Sequence, residues 1–247
     1  MEKKMGEIIA IASGTWKNIL RMKVVYFLIV CVWILVGIAS MYEILTIGYH
    51  KPLMMDVSLV LNAIAASLTV LSVTFEIPRE LRQGVAATLL TKSLGRTQYL
   101  AGKAVGICVA GAVICTLIAA GSFVIYSQTF AVTIAGTMLK AQLMLIISII
   151  PMSAMAVFFA TLFPEVVAPV LTILAIWFSY STGILSHIPV LYGGILPNLD
   201  FFNFRSHAVY LHPIPGFYMI LATLWGIAYA LFLLMFTSFF FKAKDIK

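Results

Sequence analysis

The chain has 247 residues, 62% of them hydrophobic and 10% charged, with a formal net charge of +7 and a mean hydropathy of +1.07. A water-soluble domain of this length cannot bury so much apolar sequence, so the solvent for most of the chain is expected to be lipid. Long uncharged runs without two-residue alternation exclude a transmembrane barrel, and no basic patch interleaved with stacking aromatics points to nucleic acid.

In chain order, residues 5–23 read as an amphipathic helix. Met5, Ile9, Ala12, Trp16, Ile19 and Leu20 recur at spacings of three and four, with Lys3, Lys4, Glu7, Lys17 and Arg21 on the polar edges. Such a helix lies in the membrane interface and anchors the span that follows. An elbow that also touches a cytosolic partner is the alternative, and the anchor is favoured. Charges run through the first 23 residues, so no cleavable signal peptide is expected.

Six spans follow, over 24–42, 57–75, 104–127, 141–163, 166–186 and 215–241, each near the roughly 20 residues that cross about 30 Å of hydrocarbon. The expected fold is an all-α integral membrane protein with one transmembrane domain over 1–247. It has six transmembrane helices, the N-terminal interfacial helix, a charged segment over 76–103 and an outer segment over 187–214. The outer segment holds Tyr192, Phe201, Phe202, Phe204 and Tyr210, broken by Gly193-Gly194, Pro197, Pro213 and Pro215. That composition suits re-entrant or interfacial helices, with Asn198 or Asp200 as a helix start.

The first span, with Tyr26, Phe27 and Trp33, is bulky all round and is expected to face lipid. In the second, Ser58, Asn62, Ala65, Thr69 and Ser72 form one stripe that continues to Glu76 and Arg79. The fifth repeats the pattern in Glu165, Ala168, Thr172, Ala175, Ser179, Thr182 and Ser186. Small and polar faces permit close helix approach, which is one reading of both stripes. The other is a shared path or dimer seam carried by Ser58, Asn62, Thr69, Ser72, Thr172, Ser179 and Thr182. Gly102-x-x-x-Gly106 opens the third span, and Ala222, Gly226 and Ala230 mark the sixth, both as packing surfaces. Pro151, Pro164 and Pro169 mark a kink or the ends of the fourth and fifth spans. In the short turn between those spans, Glu165 is either a helix-start acid or a second, smaller cytosolic contact point.

Of the 16 Lys and Arg residues, Lys51, Lys140 and Arg205 fall on one side of this arrangement and the remaining 13 on the other. The positive-inside rule then puts both termini and residues 76–103 on the cytoplasmic side, and the expected location is a bacterial or archaeal inner membrane. Catalytic chemistry is not legible. The nearest approach to a P-loop runs from Gly95 to Gly102-Lys103, with the wrong spacing and Ala104 where Ser or Thr is required. Cys31, Cys108 and Cys115 lie in spans and read as small apolar residues. His187, His207 and His212 are irregularly spaced, so no metal or cofactor site is expected.

The segment over 76–103 is a charged patch in an apolar chain. Pro78 can open a helix there, with Glu76 before it and Glu80 in its first turn, and Ser93-Leu94-Gly95 turns the chain into the third span. A simple interfacial loop is the alternative. Glu76-Ile-Pro-Arg-Glu-Leu, Thr88-Leu-Leu-Thr-Lys92 and Arg96-x-x-Tyr-Leu-x-Gly-Lys103 resemble the cytosolic signature of ABC type-2 transporter permeases. The similarity is closest to the copper-enzyme-maturation permease branch, and Leu196-Pro-Asn-Leu-Asp-Phe-Phe202 resembles that branch's segment before the last span. Ser93 and Val85 depart from the family's usual proline and threonine.

The resemblance implies that Glu76 to about Thr91 is a coupling helix docking on a cytosolic ATPase subunit, present in two copies, through Glu76, Arg79, Glu80, Arg82, Gln83, Thr91, Lys92 and Arg96. It implies a second permease copy or paralogue, with the second and fifth spans at the seam. ATP and Mg would sit on the partner ATPase and no cofactor on this chain. The implied function is a non-enzymatic permease subunit, an exporter of an unidentified substrate. The alternative function is a non-transporting scaffold that passes ATPase work to a periplasmic or surface partner.

Overall fold

The computed structural model of the chain describes residues 2–41, 50–83, 95–129, 135–181 and 196–243. Every element among them is helical: α1 (Glu2–Arg21), α2 (Lys23–Met41), α3 (His50–Arg82), α4 (Arg96–Thr129), α5 (Ala135–Leu162), α6 (Val167–Tyr180), a 3-10 turn (Leu199–Phe202), α7 (Arg205–Val209) and α8 (Gly216–Ala243). Five of these, α2, α3, α4, α5 and α8, are long and apolar enough to cross a membrane, which makes this a multi-pass membrane protein. The fifth expected span, 166–186, is described only as α6, whose 14 residues reach about 21 Å. Residues 182–186 of that span lie outside the described residues.

α5 is the central helix. It packs against α3, α4, α6 and α8, and Met144, Ile149, Met152 and Met155 are buried along it. α2 and α8 are peripheral and leave Val24, Phe27, Phe232, Met235 and Phe239 outward, as lipid-facing helices do. Pro151 lies inside α5, whereas Pro164 sits in the break before α6 and Pro169 in the first turn of α6. Prolines fit there because the first turn of a helix has no use for the missing N–H.

Two helices run longer than the sequence suggests. α3 has 33 residues and α4 has 34, each about 50 Å, well beyond the hydrocarbon thickness of about 30 Å. Pro78 does not open a separate helix; α3 runs through it to Arg82. Proline leaves the Thr74 carbonyl without its usual helical donor. Ile77 and Pro78 are nevertheless buried, and Glu76 and Glu80, on either side of the proline, are both held by Lys103.

α1 lies along α4, buried through Ala12, Thr15 and Ile19. Met5 and Ile9, expected on the same apolar stripe, are instead exposed. The seat is made by two glycines. A Cβ on Gly102 would lie 2.8 Å from Ile11 Cβ, and one on Gly106 would lie 2.7 Å from Thr15 Cβ and 2.9 Å from the Ala12 carbonyl oxygen. Only a residue without a side chain lets the two backbones come so close. At the opposite end of the bundle, Asn198 caps the 3-10 turn through Asp200 N–H at 3.0 Å, and Arg205 bridges to Asp56 at the start of α3.

Gly106→Val should therefore unseat α1, costing about 1–3 kcal/mol by overpacking. A thermal melt in nanodiscs should show the loss, and a Thr15→Cys reporter should become reactive in that background. Gly6→Ala, where an added Cβ meets no atom within 4 Å, should leave both readouts at or slightly above the parent's stability.

Candidate functional site

The candidate site is the end of the bundle where α3 finishes and α4 begins. On α3, Glu76 and Glu80 are four residues apart and so share one helix face; on α4, Tyr99 and Lys103 do the same. The two faces meet. Lys103 Nζ donates to Glu80 Oε1 at 2.7 Å and lies 3.0 Å from Glu76 Oε1. Tyr99 donates its hydroxyl to Glu80 Oε2 at 2.5 Å, and Asn18 Nδ2 of α1 donates to Glu76 Oε1 at 3.1 Å. The Lys103 side chain is only 5% exposed, so this is a buried cation between two carboxylates.

Burying an ammonium costs several kcal/mol, which is recovered only where its protons all find acceptors and its partners are themselves bonded. Glu80 meets that condition at both oxygens. Glu76 Oε2 is buried and has no hydrogen-bond partner. Neighbouring contacts close the same corner from α8. Arg96 Nη1 donates to the Phe241 carbonyl at 2.8 Å, its guanidinium lies 5.9 Å from the centre of the Phe241 ring, and Tyr99 stacks on that ring at 6.3 Å.

The expected ATPase-contact residues thus divide in two. Glu76, Glu80 and Arg96 point into the chain's own helix junction. Arg79, Arg82 and Gln83 are exposed at the tip of α3, where Arg82 pairs with Glu165 in the turn between α5 and α6. Glu165 stands just before the N-cap of α6, where a helix-start acid would sit, and its pair with Arg82 is a contact within the chain. That pair is exposed, 68% at Arg82, so it adds little to stability. Thr91, Lys92 and the rest of 84–94 lie outside the described residues.

The residues expected on a path or seam are directed inward. Ser58, Asn62, Thr69, Thr172 and Ser179 are buried within the chain and Ser72 is half-buried; Thr182 lies outside the described residues. Asn62 Nδ2 donates to Gln142 Oε1 at 2.5 Å and to the Cys115 carbonyl at 3.3 Å, and Gln142 Nε2 donates to Ser58 Oγ at 3.2 Å. Thr69, Ser72 and Thr172 bond back to carbonyls of their own helices, at Ala65, Thr69 and Ala168. A lone hydroxyl in apolar surroundings is satisfied that way. Among the described residues, Ser58 to Thr69 of the first stripe and Ala168 to Ser179 of the second are buried between helices of this chain.

Sequence reading missed Asn18, Tyr99, Lys103 and Gln142 as members of these clusters. Their signal was present as two i, i+4 polar pairs facing each other and as a lone amide in the fourth span. Among the described residues no group of three or more His, Cys, Asp or Glu side chains is placed to hold a metal, and His187 lies outside them. No protein-family model matches the chain, and no curated protein matches it significantly.

Removing the shared cation should leave two half-buried carboxylates side by side on one face of α3. Lys103→Met is expected to destabilise the protein by roughly 3–5 kcal/mol in chemical denaturation. Adding Glu76→Gln and Glu80→Gln to it should recover part of that loss. A Lys103→Met protein as stable as the parent would show that the cluster does not hold the helices together.

Proposed function

We propose that the chain is the permease subunit of an ATP-binding-cassette transporter, driven by a separate ATPase that docks at the tip of α3. The observation that carries this reading is the division of charges along one helix. Arg79, Arg82 and Gln83 project outward at the tip, while Glu76 and Glu80 tie the same helix to α1 and α4 through Asn18, Tyr99 and Lys103. A load applied at the tip would reach three helices at once. A scaffold of this kind suits a receiver of mechanical work, and the sequence carries no nucleotide-binding loop of its own.

In this reading the tip of α3 faces the cytoplasm with both termini, α1 lies in the membrane interface, and α6 with 182–186 completes a sixth span. Two ATPases carrying ATP and Mg flank two permease chains, identical or paralogous, and the cargo moves outward. Pushing on the two α3 tips shifts the paired permeases between inward-open and outward-open arrangements.

The test is whether a neighbouring reading frame encodes a P-loop ATPase that co-purifies with this chain when the two are co-expressed. Arg79→Glu with Arg82→Glu should weaken ATPase capture at least about tenfold, equivalent to about 1.4 kcal/mol, with the melting midpoint held within a few degrees. The swap Arg82→Glu with Glu165→Arg restores the internal pair and should not restore capture. Restoration by the swap, or the absence of any co-purifying ATPase, would overturn the reading. Glu80 is a poor test position, because its substitution breaks the buried cluster first.

A further inference from the structure

A groove of about 520 Å³ runs between α3 and α6, with α5 as its floor. Leu59, Ala63 and Leu68 line it from α3 over a length of about 14 Å, opposite Ile173 and Trp177 of α6. Ile64, Leu68, Ile173 and Trp177 are exposed along its rim, so the groove opens sideways between α6 and α3, a helix long and apolar enough to cross a membrane. Its lining changes character at one end, where Ser181, Asn203 and Arg205 replace the aliphatic side chains.

That end is held in place by its own contacts. Arg205 bonds Asp56 bidentately, Nη2 to Oδ2 at 2.6 Å and Nε to Oδ1, while Asn203 Oδ1 accepts the Arg205 backbone N–H at 3.3 Å. Asp56 engages Nε and Nη2 and leaves Nη1 without an acceptor among the described residues. A guanidinium fixed on one edge and open on the other is suited to a phosphate oxygen.

We propose that this groove binds a single phosphate-headed amphiphile, its acyl chain along Leu59–Leu68 and Trp177 and its phosphate on Arg205. The complementarity is twofold. The apolar length opens sideways, where hydrocarbon and not water competes for it, and a donor stands at one end only. The volume falls within the range of small-molecule sites. The assignment does not rest on ATPase coupling and is read on this chain alone.

The probe is bromine-labelled myristoyl lysophosphatidylglycerol, titrated into the purified full chain with tryptophan fluorescence as the readout. Saturable quenching is expected, and most of it should vanish in Trp177→Phe. Ala63→Phe, which fills the groove, should weaken binding at least tenfold, and Leu68→Trp serves as a second blocker should Ala63→Phe lower the melting midpoint. The paired change Asp56→Asn with Arg205→Gln should weaken the lysophospholipid at least fivefold and leave bromine-labelled monomyristoyl glycerol unchanged. Unaltered quenching in both blocked variants would overturn the site. Equal affinity for the two probes would overturn the phosphate assignment. Disulfide-linked dimers of Trp177→Cys that exclude the probe would show that a second copy covers the groove instead.

Discussion

One ammonium group shared by two carboxylates sets the arrangement at the charged end of this bundle. Lys103 is nearly inaccessible, in a chain where charged residues are scarce, and both of its partners come from a different helix. Its position is therefore not adjustable. Sliding α3 past α4 by one residue would rotate Glu76 and Glu80 by about 100° and rise them by 1.5 Å, away from the lysine. The cluster fixes both rotation and depth of α3 relative to α4. Apolar packing alone specifies these weakly in a membrane, since lipid and leucine are nearly equivalent neighbours.

The first turns of α4 gather the other constraints. Arg96 and Tyr99 engage the end of α8 at Phe241, Lys103 engages α3, and Gly102 and Gly106 on the same helix seat α1. Four helices thus meet over eleven residues, Arg96 to Gly106. Asn18 links α1 back to Glu76, so α1 is tied to α3 as well as to α4. The amphipathic helix that looked like a membrane anchor is also part of this junction, and its exposed Met5 and Ile9 are the portion left for an apolar neighbour outside the chain.

Sequence pattern was informative where composition carries the signal and silent where pairing does. Hydropathy located five long apolar helices, because length and continuous apolarity are local properties. The glycine pair at 102 and 106 marked a close approach but not its partner, since any helix can occupy such a seat. Pro78 misled because proline is equally at home at a helix start and, when its neighbours are buried and bonded, within a long helix. The polar stripes of α3 and α6 showed a face without showing which side of the chain it meets. Asn62 found Gln142, a residue eighty positions away, and nothing in the sequence names such a pair. The tip of α3 divided into inward carboxylates and outward arginines only once α4 was in place, because both sets occupy the same short run of helix.

α3 carries both ends of the functional argument. Leu68 lies on the groove wall and Glu80 in the buried cluster, twelve residues or about 18 Å along one continuous helix. A helix of that length transmits displacement as a rigid rod except where its hydrogen bonds are interrupted, and Pro78 interrupts them by donating nothing to the Thr74 carbonyl. Lys103 holds a carboxylate on either side of Pro78, so the helix next to the missing bond is fixed to α4. Arg82 beyond these contacts and the groove before them are consequently joined along one helix that is tied to α4 between them. Displacing the tip must either move α3 and α4 together or break the lysine from one carboxylate. The second route exposes a charge in a nearly dry site, which makes concerted movement of α1, α3 and α4 the lower-energy response. α6 contributes no residue to the lysine cluster among the described residues, but the turn before it places Glu165 against Arg82, so this wall of the groove is tied to the α3 tip by an exposed pair and not by the buried cluster.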